Sequence, residues 1–190
     1  MYGKDRSGIG RPVLVNTEGM PIVQSNLADA AAEGRLFSVA NQTGVTTTAA
    51  LATTFTGLAV GNPTGSGKLY SFHEFGWSQA AVMNTDGPIG LMVAPVGDLA
   101  QSLTPLCARY LYKTSNALAD AGATIGTPIL LRVCGTTLTG AITTTGALPG
   151  HTVDLAGGIV IPAGYALCSY TLEIQTASIQ FHYVWEEIDV

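Results

Sequence analysis

From residue 36 to the C-terminus, the chain alternates short apolar-rich segments with turns that contain Gly, Pro and Asn. The first segment alternates apolar and polar residues, the pattern of a β-strand with one buried face, and later segments are rich in Thr or aromatic residues. Trp77 and Trp185 fall on such segments and are expected to lie in the core. Seven or eight strands of this kind predict an all-β domain, a jelly roll or β-sandwich. The predicted strands comprise residues 36–41, 52–60, 69–77, 89–94, 128–134, 159–161, 165–173 and 177–185.

The first 34 residues follow a different pattern, because Gly and Pro interrupt them too often for a hydrophobic core. Two short apolar pieces, residues 13–15 and 22–23, are predicted to be extended. Apolar residues would serve no purpose in a tail that touches nothing, which favours an arm lying on a neighbouring subunit or a larger partner over a disordered tail. The sequence therefore predicts an extended N-terminal arm, residues 1–34, followed by a β-sandwich domain, residues 35–190.

One stretch of the chain predicts a helix, and a second leaves the conformation open. Residues 26–33 are predicted to form a short helix that Ser25 or Asn26 caps and Gly34 ends. Farther on, between residues 97 and 127, several apolar residues recur near helical spacing, and a short helix or turn is predicted, with a strand over residues 108–113 as the alternative. The apolar residues at this spacing are Leu99, Leu103, Leu106, Tyr110 and Leu118.

Charged residues make up only 11% of the 190-residue chain, against about 25% in ordinary globular proteins. Apolar residues make up 47%, so that much of the surface is expected to be covered by other subunits. The alternative is that a Thr-rich β protein is simply low in charge. The net charge of −5 argues against direct contact with nucleic acid, which requires basic surface to neutralise phosphates.

The three cysteines, Cys107, Cys134 and Cys168, are far apart and lie in apolar surroundings without a CxxC pair. They are predicted to be buried reduced thiols, which implies folding in a reducing compartment. The N-terminus lacks the apolar segment of a signal peptide, and no apolar stretch is long enough for a transmembrane helix. No association with a membrane is expected.

The turn at residues 61–68 is superficially similar to a phosphate-binding loop. In that motif a Gly opens the loop, and Ser or Thr follows the Lys because its hydroxyl holds magnesium. Here Asn62 replaces the Gly and Leu69 follows Lys68, while Pro63 removes an amide donor. The flanking segments are predicted strands rather than a helix that would receive phosphate. Nucleotide binding is therefore not expected.

Histidine and carboxylate residues show no spacing typical of catalysis or metal binding. His73 and Glu74 are adjacent, and adjacent residues of a strand are expected to face opposite sides of the sheet. Glu186, Glu187 and Asp189 are expected to form a solvated acidic end beyond the last strand, with pairing to basic groups of a partner as the alternative. No catalytic, cofactor-binding or metal-binding residue is predicted, and the protein is expected not to be an enzyme.

Three parts of the chain together carry a likeness to a known class of protein. Residues 56–68 lead into an aromatic strand, residues 127–133 form a later strand, and residues 161–167 precede the terminal Trp-Glu-Glu-Ile of residues 185–188. Over residues 36–190, this arrangement resembles small virion proteins of tailed bacteriophages, namely head decoration (cement) proteins, head fibres and related jelly-roll structural proteins. The resemblance implies a homotrimer on the capsid surface, assembled in the host cytoplasm without a cofactor. The major capsid protein would be its partner.

Three functional hypotheses follow. The first is a capsid decoration protein that binds the phage head shell and stabilises it through its arm. The second is a tail or fibre module that binds a receptor or a glycan, and the third is a cupin-like enzyme. In the first hypothesis, the arm residues expected to contact the capsid are Lys4, Arg6 and Arg11 through polar groups, and Val13, Leu14 and Val15 as an added strand or in a groove.

Overall fold

The computed structural model of the protein describes residues 2–4, 10–12, 26–79, 81–109, 112–139 and 150–190. Within these ranges the chain forms thirteen β-strands and one short helix. The described part of the chain contains no helix with the length and apolarity needed to span a membrane. The elements are β1 (Tyr2–Lys4), β2 (Gly10–Pro12), α1 (Asn26–Ala32), β3 (Leu36–Ala40), β4 (Val45–Thr47), β5 (Thr54–Gly61), β6 (Lys68–Gln79), β7 (Gly87–Pro95), β8 (Leu106–Cys107), β9 (Leu118–Thr124), β10 (Ile129–Thr137), β11 (Gly150–Ile161), β12 (Tyr165–Thr171) and β13 (Gln175–Asp189).

The strands after α1 form two antiparallel sheets, in the orders β10-β7-β12-β5-β9 and β11-β6-β13-β3-β8, with β4 also paired to β13. Eight of these strands can be renumbered from one to eight in chain order: β3, β5, β6, β7, β10, β11, β12 and β13. With this numbering, the strand orders of the two sheets are 5-4-7-2 and 6-3-8-1. This order is the jelly-roll topology, in which each sheet takes strands from both halves of the chain. The predicted all-β jelly roll is therefore confirmed, and β8 and β9 extend it at one edge.

Aromatic side chains of β6 and β13 fill the space between the sheets. The rings of Phe75 and Phe72 lie 5.3 Å and 5.6 Å from that of Tyr183, measured between centroids. Trp185 is fully buried and Trp77 is 6% exposed, so the prediction that both tryptophans lie in the core is confirmed. Such pairs stabilise a core beyond the area they bury.

A second apolar cluster lies on the other face of the five-stranded sheet. Phe55, Met92 and Cys168 belong to it, and Leu99 and Ile125 from the neighbouring loops are buried with them. Part of this sheet is therefore buried on both faces. Of the apolar residues whose spacing was interpreted above as helical, Leu99 and Leu118 pack in this cluster, Leu103 packs against the core between the sheets, and Leu106 is exposed.

The region between residues 97 and 127 contains turns and two strands rather than the predicted short helix, and the alternative strand over residues 108–113 is not formed at its described residues. The described residues of the region contain no helix, and strand β8 is only two residues long. β9 is a strand rich in Ala and Gly that pairs with β5, with Phe55 opposite Ala123. Small residues carry little intrinsic β preference, and it is this pairing that makes the segment a strand. The residues 150–158, also outside the predicted strands, form the first part of β11 for the same reason, by pairing with β6.

A β-bulge in β6 places two neighbouring polar residues on one face. Phe72 lies opposite Trp185 and Glu74 opposite Val184, so His73 is an extra residue without a partner in β13. Phe72 and Phe75 are both buried in the core. The expectation that His73 and Glu74 face opposite sides was therefore wrong, because the bulge interrupts the two-residue alternation.

The end of the N-terminal segment packs on the sandwich. Helix α1 confirms the predicted helix, and Gly34 follows it with a φ of 68°, a conformation that Gly adopts without strain. Ala30 is fully buried, and Arg109 Nη1 donates a hydrogen bond of 2.9 Å to Ala32 O. Before α1, β1 and β2 pair with each other. The predicted extended pieces 13–15 and 22–23 lie outside the described residues.

Gly90 provides a test of how closely β7 and β10 approach. A Cβ atom at Gly90 would overlap the carbonyl oxygen of Arg132 and lie 2.9 Å from Val133 Cα. We expect Gly90→Ala to lower the free energy of unfolding by about 2 kcal/mol, because backbone atoms of β10 must move. Urea denaturation measures this change.

The matched control is Gly122→Ala in β9, where a Cβ atom would meet only ordinary contacts, 3.5 Å from Phe55 O. We expect its stability to be unchanged or raised by about 0.5 kcal/mol. Equal losses of unfolding free energy in the two variants would contradict the close approach of β7 and β10 at Gly90.

Candidate association surface

Strands β10 and β11 are the outermost strands of the two sheets and lie on the same side of the sandwich. Edge strands expose backbone donors and acceptors, and proteins commonly protect them with charges, bulges or short length. β11 carries a bulge with Ala156 and Gly157 at positive φ, beside the exposed Asp154. At the opposite side, β8 has only two residues.

β10 exposes apolar side chains along most of its length. Ile129 is 66% exposed and Val133 is 53% exposed, and the one charged residue within the strand is Arg132. The pairing with β7 shifts between Leu130 and Arg132 and again between Val133 and Gly135. These bulges break the alternation, which explains why consecutive large side chains all reach the surface. We call the following residues the edge surface: Ile129, Leu130, Leu131, Val133, Val160 and Tyr165.

A pocket of about 420 Å³ opens between the two edge strands. Leu131 of β10 lines one side, and Ile159 and Val160 of β11 line the other, with Tyr165 at the start of β12. Its floor includes Val93, which is partly buried and packs against the core between the sheets. The edge surface thus combines a protruding row of aliphatic side chains with an adjacent apolar recess, an arrangement suited to binding apolar side chains rather than to chemistry on a polar substrate.

The structure describes only some of the predicted capsid-contact residues. Lys4 lies in β1 opposite Gly10, and Arg11 lies in β2 opposite Gly3, so their backbones are adjacent in a short antiparallel ladder. The other four lie outside the described residues: Arg6, Val13, Leu14 and Val15. All six capsid contacts stay predictions. The edge surface was not predicted, although the unusual run Ile-Leu-Leu-Arg-Val was visible in the sequence.

The acidic C-terminus differs from the expected solvated end. Glu186, Glu187 and Asp189 all belong to β13, and Glu187 is 2% exposed. Lys68 Nζ lies 2.7 Å from Glu187 Oε2, and Ser115 donates a hydrogen bond to Glu187 Oε1. The expectation was wrong for Glu187, because the alternation of buried residues in β13 continues past Trp185 and turns this residue inward, whereas Asp189 is exposed.

Two further acidic residues pair on the outer face of the six-stranded sheet. Glu186 forms an ion pair with Arg35, and Glu74 Oε1 lies 2.7 Å from His182 Nε2. The pairs join β13 to the neighbouring segments. Among the described residues, no group of three His, Cys, Asp or Glu side chains is arranged to hold a metal ion.

The cysteines partly match their prediction. Cys107 and Cys168 are buried, and burial raises the pKa of the Cys168 thiol to about 12. Cys134 is only half-buried, which corrects the expectation for that residue, because it lies at a bulge of the edge strand β10. Burial raises the pKa of Cys134 as well, against the opposing effect of Arg132. Both thiols are thereby held in the protonated, weakly nucleophilic form.

Comparisons with known proteins found no match: no family model fits the chain, and no curated protein or solved structure is significantly similar to it.

The ion pair between Lys68 and Glu187 can be tested by replacing the lysine with an uncharged residue. We expect Lys68→Met to lower the free energy of unfolding by about 2 kcal/mol, because the buried carboxylate loses its counter-charge. The value is below the range for a fully buried pair, since the Lys68 side chain is 29% exposed. Lys113→Met, at an exposed lysine, is the control and should change stability little. Indistinguishable urea midpoints for the two variants would argue against the pair.

His73 makes stability depend on pH. Burial lowers the pKa of His73 from its ordinary value of 6.5, against the opposing charge of Asp154. The unfolded chain therefore binds a proton more readily than the folded chain, and stability present above pH 6.5 is lost as the pH falls through the lowered pKa. We expect His73→Gln to flatten the decline in unfolding free energy between about pH 6.5 and 5.5. The exposed His151→Gln is the control, and an equal flattening there would contradict the assignment.

Proposed function

We propose that the protein is a capsid decoration protein, which binds the head shell of a tailed bacteriophage and stabilises it. The observation that supports this most directly is the edge surface, a charge-poor apolar area on a jelly roll, because such areas mark sites of protein association. The likeness of residues 36–190 to phage head proteins supports the choice of partner. The buried Glu187 is engaged by Lys68 and Ser115 inside the fold, which supports a structural rather than a catalytic role.

In this proposal, the N-terminal arm contacts the major capsid protein and the sandwich contacts sister copies, on the outer surface of the virion. The proposed arm contacts are the cations at residues 4, 6 and 11 and the apolar residues 13–15. Each contact buries apolar area, which stabilises by roughly 25 cal/mol per Å². Repetition over the shell adds avidity, so that contacts of modest size hold subunit junctions against internal pressure. Contact with nucleic acid or membrane has no part in it.

A count of copies per particle tests the proposal. Quantitative mass spectrometry of purified phage should find this chain in high copy number, at a fixed ratio to the major capsid protein. A few copies located at the tail, together with binding to host cells, would instead favour the receptor- or glycan-binding module. A chain missing from purified particles would overturn both.

Deletion of residues 1–25 should separate attachment from folding. Because α1 is held by the buried Ala30 and by the hydrogen bond from Arg109 to Ala32 O, a deletion that stops before it leaves the sandwich contacts in place. We expect the shortened protein to keep its unfolding midpoint and its association with itself, and to lose binding to expanded shells. Binding is measured by co-sedimentation with shells that lack the protein.

The control is the full-length chain bound to the same shells. Full occupancy by the shortened protein would show that the arm is not the attachment segment.

A further inference from the structure

We infer that the edge surface is a reciprocal contact between two copies of this chain, in which the aliphatic row of each copy fills the pocket of the other. The inference rests on the self-association in the proposed function, and it names the surface and the partner. The row consists of Ile129, Leu130 and Val133, and the pocket lies between Leu131 and Val160.

Shape favours this occupant. The recess of 420 Å³ has a volume on the order of ten water molecules. It can hold the branched end of one aliphatic side chain together with a neighbouring side chain. Ile129 protrudes beside it with 66% of its surface exposed, more than any other large apolar residue of the described sandwich apart from the C-terminal Val190. A projection and a recess on the same edge are what a two-fold contact requires, because each surface must be complementary to itself.

Area favours a pair over a ring. The six residues of the edge surface are 40–66% exposed, and side chains of this size carry about 150 Å² each, so one copy presents on the order of 500 Å². Two copies that use both row and pocket bury on the order of 1,000 Å², the lower limit for a specific interface. In a ring of three, as the resemblance implies, each contact would use the row of one copy and the pocket of the next, about half that area.

The position of the arm also favours a second copy over the chain's own N-terminus. Helix α1 leads directly into β3, which neighbours β8 at the opposite edge of the six-stranded sheet from β11. The arm therefore enters the sandwich on the far side from the pocket.

Sedimentation equilibrium of the full-length protein tests the pair. The wild-type chain should sediment as a dimer, at twice the 19.6 kDa of one chain. Ile129→Asp and Val160→Arg should each raise the dissociation constant at least about 30-fold, because each buries an unpaired charge in the contact. Both residues are exposed in the single chain, so the folded monomer should keep its circular dichroism and unfolding midpoint.

The matched control is Ile174→Asp. Ile174 is 54% exposed, but it lies in the turn after β12, at the opposite end of the sandwich from Ile129. This variant should remain a dimer.

Mixing the two monomeric variants gives the decisive result. In a reciprocal pair, the carboxylate introduced at position 129 of one copy would face the guanidinium introduced at position 160 of the other, while the second half of the contact is wild type. An equimolar mixture should therefore restore dimers to within about tenfold of the wild-type dissociation constant. Failure of the mixture to dimerise, a wild-type monomer, or a trimer would each overturn the reciprocal contact.

Two comparisons separate failure of this inference from failure of the proposed function, and a third tests the arm as the alternative occupant. If the edge variants still decorate shells at full occupancy and the wild-type protein is not a dimer, the pair is wrong and the decoration role stands. If the wild-type protein forms the edge dimer but is missing from phage particles, the pair stands and the decoration role is wrong. If full-length Leu14→Asp abolishes association and the edge variants do not, the arm occupies the surface and the pair is wrong.

Discussion

The packing of aromatic rings between β6 and β13 is the interaction on which the sandwich depends. β13 pairs with β6 along eleven residue positions and also with β3 and β4, so it is central in its sheet. Its inward side chains Phe181, Tyr183 and Trp185 meet Phe72 and Phe75 of β6. Rings of this size fill the space between the two sheets with few residues, which lets the chain use Gly, Ala and Thr freely elsewhere.

Polar groups at the ends of this aromatic layer are held inside the fold. At one end, the carboxylate of Glu187 is paired with Lys68 and accepts a hydrogen bond from Ser115. Burial and the charge of Glu187 raise the pKa of the Tyr70 hydroxyl, which therefore stays protonated. At the other end, Thr171 Oγ1 lies 2.6 Å from Thr47 Oγ1. Chain ends and loops are thereby fixed by specific hydrogen bonds.

The sequence predicted most strands that carry runs of large apolar residues, and it missed strands and strand segments that carry few of them. β6, β12 and most of β13 were predicted because aromatic and branched side chains mark them, whereas β9 is a strand only because it pairs with β5. The turn at residues 61–68 was correctly predicted: Asn62 is buried and donates hydrogen bonds to Lys68 O and Ile161 O. The burial of Glu187 was missed, although the alternation of buried residues in β13 extends beyond Trp185. The pocket was not predictable, since it depends on the meeting of two sheet edges that are distant in sequence.

The two bulges in β10 limit how this edge can associate. A regular edge strand offers an uninterrupted ladder to any similar strand, and repeated addition through such ladders leads to fibrils. In β10 the register with β7 shifts twice within six residues, from Leu130 to Gly135, and the backbone is correspondingly irregular. Contacts through this edge must then come from side chains, whose shapes select a single fit. The same irregularity that exposes the aliphatic residues thus protects the protein from open-ended polymerisation.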